Sequence, residues 1–341
     1  MRAVVTGVGH YLPENVVTTG DVEERLRGNG FKIPSGLVQL LTGVKSRHYA
    51  ADDQASSDLA AEAGRAALDR AGIDPEALDL MIFAGASHDV AEPSTAAITQ
   101  SKIGCRNAAT MDVKSACNSF INGVDVAASM IETGRATKVL VTTGEVITPV
   151  IDWNIESMAD LRRKFAGLTL GDAGGAMVLE ARQDDGEDPA TASGVRAGDF
   201  MTDGEYWRLC TVLGGGSLVR NGAPEAMVFD CKSDELGALA LKHLPDIFPK
   251  TLERLNWRSD EVSLVVPHQV SRSVVIELAR RWDYPTERCM ITVGQYGNCA
   301  AASIPLALSL AVEEGRVAKG DKIALVGGAA GFSAGVVPIV W

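Results

Sequence analysis

The sequence predicts an α/β protein built from two related halves, and three observations carry that prediction. Short β-branched runs alternate with Ala-rich helical stretches along the whole chain, and segments of one half repeat in the other at a nearly constant offset. The composition is that of a chain with a core: 46% apolar and 22% charged residues over 341 positions, enough for one large domain or two ordinary ones. That balance excludes an intrinsically disordered chain.

The strand-like runs are AVVTGVG (3–9), LMIFAG (80–85), KVLVTTG (138–144), LVVPH (264–268) and KIALVGG (322–328). Between them lie helical stretches at 58–72, 117–134, 273–282 and 299–315. Helices joining near-continuous apolar strands imply a mostly parallel sheet covered on both faces. Residues 67–87 align with 251–271 without a gap, pairing Leu68 with Leu252, Arg70 with Arg254 and Leu80 with Leu264. IETGRATK (131–138) likewise parallels VEEGRVAK (312–319), each a helix that stops at glycine before a strand. Two matches in the same order with similar offsets indicate an internal duplication, with halves 1–182 and 183–341. The second offset sets Cys117 opposite Asn298, at the starts of equivalent central helices.

With 44 acidic and 32 basic side chains the formal charge is −12. Nucleic acid is therefore not expected as the main partner, because phosphate binding needs a basic field. A local basic patch for an anionic carrier stays open. No apolar run reaches the length of a membrane span, and MRAVVTGVGHYLP lacks a signal-peptide layout. Six cysteines without CxxC or Cys/His spacing suggest neither a disulfide framework nor a zinc site, and a reducing cytoplasm is expected. No metal, flavin or nicotinamide motif stands out, so no cofactor is expected.

Cys117 follows a short strand and a tight turn, where a helix begins. The helix dipole and free N–H groups there should lower its thiol pKa, although a small packed residue is the commoner role for such a cysteine. His268 ends an apolar strand, at the edge where α/β sheets place chemical groups, or else it is a packing histidine. Asn298, after Gly294 and Gly297, could cap the next helix or face a ligand. GGAAGFSAG (327–335) reads as a loop able to present backbone N–H groups, or as a sharp turn.

Together DVKSACNSF (112–120), VVPHQVS (265–271) and GNCAAASIP (297–305) resemble the thiolase superfamily in its ketoacyl synthase III branch. LTGVKSRH (41–48), GDAGGAMVL (171–179) and AAGFSAG (329–335) extend the resemblance over essentially the whole chain. It implies a five-layered α-β-α-β-α fold, a homodimer, and acyl-CoA or acyl-carrier-protein thioesters as substrates. Cys117 would take the acyl group, and the backbone N–H groups of Cys117 and Ala330 would hold the oxyanion. Ala330, Gly331 and Phe332 would form the oxyanion and acyl-carrier loop, while His268 and Asn298 would stabilise the enolate of a second donor.

Two departures narrow the resemblance. Leu37 and Leu41 stand where fatty-acid-initiating members carry an aromatic and a basic residue that grip the carrier's nucleotide. Glu92 stands where they carry an aromatic, in a loop that reaches into the partner's acyl pocket. That glutamate, with FINGVDVAASMIE (120–132), HQVSRS (268–273) and KGDKIAL (319–325), resembles the subgroup that joins two fatty acyl thioesters head to head in olefin biosynthesis, using the carboxylate as base. Alternatively, Glu92 caps the following helix or pairs with a base. Malonyl-dependent condensation, acyl transfer to an alcohol or amine, and a silent partner subunit are the competing functions. Segments 146–168 and 200–222 are expected to wall the pocket, with Arg162, Arg163, Lys164, Arg208 and Arg220 available to a carrier's phosphates.

Overall fold

The computed structural model describes residues 1–183, 185–188, 191–219 and 223–341. Its first half contributes strands β1 (Arg2–Tyr11), β2 (Leu80–Phe83), β3 (Ala109–Asp112), β4 (Lys138–Glu145) and β5 (Ala173–Arg182). The second contributes β6 (Gly194–Val195), β7 (Asp199–Thr202), β8 (Val262–Pro267), β9 (Lys322–Ala329) and β10 (Ser333–Val340). The principal helices are α1 (Ser56–Ala71), α2 (Thr95–Ile103), α3 (Ser119–Glu132), α4 (Ser233–Arg254), α5 (Arg272–Arg281) and α6 (Ser303–Glu313).

The first sheet runs β1-β5-β4-β2-β3. In the second, β6 and β7 pair with β10, followed by β9 and β8, and a parallel bridge from Val265 to Cys289 marks the far edge. The order and the strand directions are the same in both, which is the duplication expressed as topology. The expectation of a mostly parallel sheet is corrected. β2 pairs in parallel with β3 and β4, and β8 with β9, but β5 is antiparallel to both β1 and β4, and β9 is antiparallel to β10. Only three residues, 330–332, separate β9 from β10, and so short a connection can join only antiparallel neighbours.

Burial alternates along the strands with a period of two. Val139 and Val141 of β4 face the central cluster while Leu140 faces the outer one. In β9, Ile323 and Leu325 face the centre while Ala324 and Val326 face outward. The centre is filled by α3 and α6, through Phe120, Ile121, Val124, Ile304 and Leu308. α1 and α2 cover the outer face of the first sheet, α4 and α5 that of the second. The layers are thus α-β-α-β-α. Each large central side chain withdrawn from water contributes about 1.5–3 kcal/mol before entropy.

Glycines set how closely α1 lies on its sheet. A Cβ on Gly144 would sit 1.9 Å from the Ser56 carbonyl oxygen, and one on Gly174 would sit 2.2 Å from that of Leu59. GDAGGA is thus a packing surface. The excursion after β4 folds into short turns and the helix Met158–Lys164, which pack with Val22 and Leu26 of the helix Thr19–Gly28. No helix among the described residues is long and apolar enough to cross a membrane.

Candidate active site

The chain enters α3 through a strained turn. Ala116 has φ 47°, left-handed for a residue with a side chain, and it turns Cys117 out between β3 and the helix. The turn is held by the Asn118 N–H donating to Ser115 O at 3.0 Å and by Ser119 Oγ donating to Ala116 O at 2.6 Å. At the matching place in the second half, Gly297 has φ 69° immediately before Asn298.

The β9–β10 hairpin closes over this turn. Asn118 Nδ2 donates to Ser333 Oγ at 2.9 Å, and a Cβ on Gly327 would lie 2.0 Å from Asn118 Oδ1. The backbone N–H groups of Ala330 and of Cys117 itself favour a thiolate at the Cys117 sulfur. Residues 327–335, read as a loop, are mostly strand, and only 330–332 turn, with Gly331 at φ 77°.

The expected lowering of the Cys117 pKa is corrected. Burial pushes the thiol up to about 12, helped by the charges of Glu145 and Cys231, against the two N–H groups that favour thiolate. Glu145, which sequence reasoning missed, ends β4 with its carboxylate fully buried. It accepts from Ala86 N at 2.7 Å, Ser87 N at 3.0 Å and Ser87 Oγ at 2.8 Å, and from the Ala301 N–H. Burial outweighs these donors and lifts its pKa to about 7. The available signal was an acidic residue ending a buried strand, at the C-terminal edge of the first sheet as His268 is at that of the second.

His268 follows β8, its N–H donating to Val326 O at 2.8 Å beside the hairpin. Burial alone lowers its pKa to about 4, so the ring is neutral near pH 7, and Nδ1 has no partner among the described residues. Gln269 fixes the chain behind it. Its Nε2 donates to Pro267 O and Met290 O, and its Oε1 accepts from the N–H groups of Thr292 and Val293, which lead to Asn298.

Asn298 is tied to the first half through its N–H to Thr169 O at 2.8 Å and its carbonyl to the Gly171 N–H at 3.1 Å. Its Oδ1 caps the Ala300 N–H at 3.0 Å, which leaves the Nδ2 hydrogens as its outward donors. The contacts link Cys117 to Ala330 and to Glu145, Glu145 to Ala301 beyond Asn298, and His268 to β9 at Val326. Cys289 and Cys299 are buried thiols, both raised by desolvation.

Glu92 is placed elsewhere. It is exposed and lines an open depression of about 620 Å³ with Phe83, Ser87, His88, Asp112 and Lys114, without reaching Cys117 in the same chain. The Ser94 hydroxyl caps α2, so that role does not fall to Glu92. Leu41 is 56% exposed on the short helix Leu37–Thr42. Of the basic residues, Arg163 pairs with Asp230, Lys164 with Asp152, and Arg208 lies over Trp207. Arg162 is exposed, and Arg220 lies outside the described residues.

Comparison with known proteins agrees with this geometry. Residues 111–196 match the family described as 3-oxoacyl-[acyl-carrier-protein] synthase III, and residues 252–341 match its C-terminal part. The chain is 33% identical to the β-ketoacyl-[acyl-carrier-protein] synthase III of Cereibacter sphaeroides, over 100% of this chain and 99% of the relative. It is 34% identical to that of Methylococcus capsulatus, over 97% and 96%. The crystal structure of the Pseudomonas aeruginosa synthase III superposes with a TM-score of 0.87 at 28% identity, covering 100% and 98% of the two chains. Xanthomonas campestris OleA with bound lauric acid and lauroyl-CoA superposes with a TM-score of 0.88 at 28% identity, covering 100% and 99%.

Proposed function

The chain belongs to the 3-oxoacyl-[acyl-carrier-protein] synthase III family of acyl-condensing acyltransferases, and from that premise we propose that it condenses two fatty acyl thioesters through an acyl group held on Cys117. The observation that carries this reading is that the backbone N–H groups of Cys117 and Ala330 favour negative charge at the Cys117 sulfur. The same groups would lie against the oxyanion formed when the sulfur attacks a thioester carbonyl, and donors placed there lower the barrier most. The thiol proton leaves during attack, and the carrier thiol departs with it.

The second donor then supplies a carbanion. The unpartnered, neutral His268 and the outward Nδ2 of Asn298 would bind its thioester oxygen and stabilise the enolate. The new carbon–carbon bond forms at the acyl carbon on Cys117. The carboxylate whose charge acts on Cys117, Glu145, is engaged by its own donors, so Glu92 would act as base on the α-proton across a homodimer. In support, solved OleA structures include replacements of a cysteine, a histidine and a glutamate. Their glutamate precedes their cysteine by 26 residues, against 25 here. The halves 1–182 and 183–341 would each supply one side of the site.

Incubation with lauroyl-CoA alone tests the reading. A β-keto product from two acyl chains is expected, together with acyl-Cys117 by intact mass. A strict requirement for malonyl thioester would remove the role of Glu92 and leave loading intact. Turnover only with an alcohol or amine acceptor would remove condensation.

A further inference from the structure

Cys210 and Cys231 stand directly opposite each other on the short antiparallel strands Cys210–Thr211 and Asp230–Cys231. The Lys232 N–H donates to Leu209 O at 2.7 Å, on the flank of the pair. That pattern makes Cys210 and Cys231 a non-hydrogen-bonded pair, where facing Cα atoms are ~4.5 Å apart and side chains come closest. Disulfides span Cα separations of ~4.4–6.8 Å, so the backbone is already set for a bridge.

Cys210 favours a thiolate on Cys231, which it faces across the strand pair, and Ser233 Oγ donates to the Cys231 sulfur at 3.8 Å. These donors hold Cys231 below the ordinary thiol range, whereas Cys210 is pushed up. One sulfur is thus suited to attack an oxidant and the other to resolve the product. The pair also adjoins the acyl site. The charge of Cys231 acts on the Cys117 thiol. Ser233 begins α4, whose His243 packs on Phe332 of the 330–332 turn with ring centroids 5.4 Å apart.

We propose that Cys210 and Cys231 form a reversible disulfide in response to peroxide, a modification site in the wall beside Cys117. The Cys231 thiolate attacks the peroxide; the O–O bond breaks, giving a sulfenic acid and hydroxide, which takes up a proton to leave as water. The Cys210 sulfur then attacks the sulfenic sulfur, the S–O bond breaks, and a second water leaves. Two thiols are oxidised by two electrons and one peroxide is reduced. A thiol reductant reverses the reaction by exchange. All six cysteines are free in this structure, and the bridge would be made on oxidation.

The test uses the full chain carrying Cys117→Ala, which keeps oxidation of Cys117 out of the measurement. After hydrogen peroxide, the expected intact mass is lower by two hydrogens, the free-thiol count falls by two, and a digest yields a peptide containing Cys210 linked to one containing Cys231. Dithiothreitol restores both thiols, and C210S on the same background gives no linked peptide. Alkylation of both Cys210 and Cys231 after peroxide would overturn the proposal, as would a bridge joining either of them to a different cysteine. Because the readout is covalent, it stands or fails independently of the acyl donor.

Discussion

At the scale of the residue, Glu145 and His268 are buried in one site and burial pushes them in opposite directions. Glu145 rises from its ordinary 4.5 to about 7, so the folded state binds more protons than the unfolded one between those values. Its contribution to stability is whole below about 4.5 and is lost as pH rises through about 7. His268 falls from 6.5 to about 4, so its contribution is whole above about 6.5 and is lost as pH falls through about 4. Each shift corresponds to something on the order of 3 kcal/mol, and in the overlapping window the two slopes oppose. Urea unfolding across pH 4–7.5 should therefore show Glu145→Gln gaining stability with rising pH, relative to wild type, and His268→Ala losing it. Parallel profiles for all three proteins would mean that neither group titrates as its burial requires. Charge coupling adds a second expectation. An ionised Glu145 opposes a thiolate on Cys117, so Glu145→Gln should move the pH midpoint of Cys117 alkylation downward. Cys117→Ala should abolish acyl loading by intact mass.

At the scale of the element, the hairpin of β9 and β10 decides whether those residues can work together. Gly331 takes φ 77° in the turn, where a side chain costs roughly 1–2 kcal/mol. Gly331→Val should lower stability by about that amount, measured by denaturation. Acyl loading should slow far more, by about 10²-fold or greater, because the Ala330 N–H leaves the oxyanion position. A variant that loses stability but loads at the wild-type rate would detach Ala330 from that role. This element was also the hardest to read from sequence. GGAAGFSAG has almost no β-branched residues, so its strands look like loop, and their pairing depends on Asn118 and Ser333 meeting across the core. β4 and α3 were legible because each carries its own periodicity, and Gly134 stops the helix as expected. Cys117, His268 and Asn298 were singled out through their motifs. The pKa of Cys117 was not legible, because it is set first by burial and then by Glu145 and Cys231, both distant in sequence. A local rule about helix ends could not include them.

At the scale of the whole molecule, the proposed base lies outside the surroundings of Cys117 within one chain. Glu92 is exposed beside an open depression lined by Phe83, His88 and Lys114, while Glu145, whose charge acts on Cys117, is engaged by backbone and hydroxyl donors. If Glu92 completes the site of a second copy, two inactive variants should rescue each other. Cys117→Ala lacks the acyl acceptor and Glu92→Gln lacks the base. In a mixed dimer, the cysteine of one chain meets the glutamate of the other at one of the two sites. Random exchange of equal amounts makes half the dimers mixed, so condensation should recover to roughly a quarter of wild type. The measurement is β-keto product from lauroyl-CoA after co-refolding or slow exchange, with each variant alone as control. Sedimentation of the wild type should show a dimer under the same conditions. A dimer that shows no recovery on mixing would place Glu92 on its own chain's site or outside the chemistry. A monomer that condenses two acyl chains would require the base to come from within one chain, and would turn attention back to Glu145.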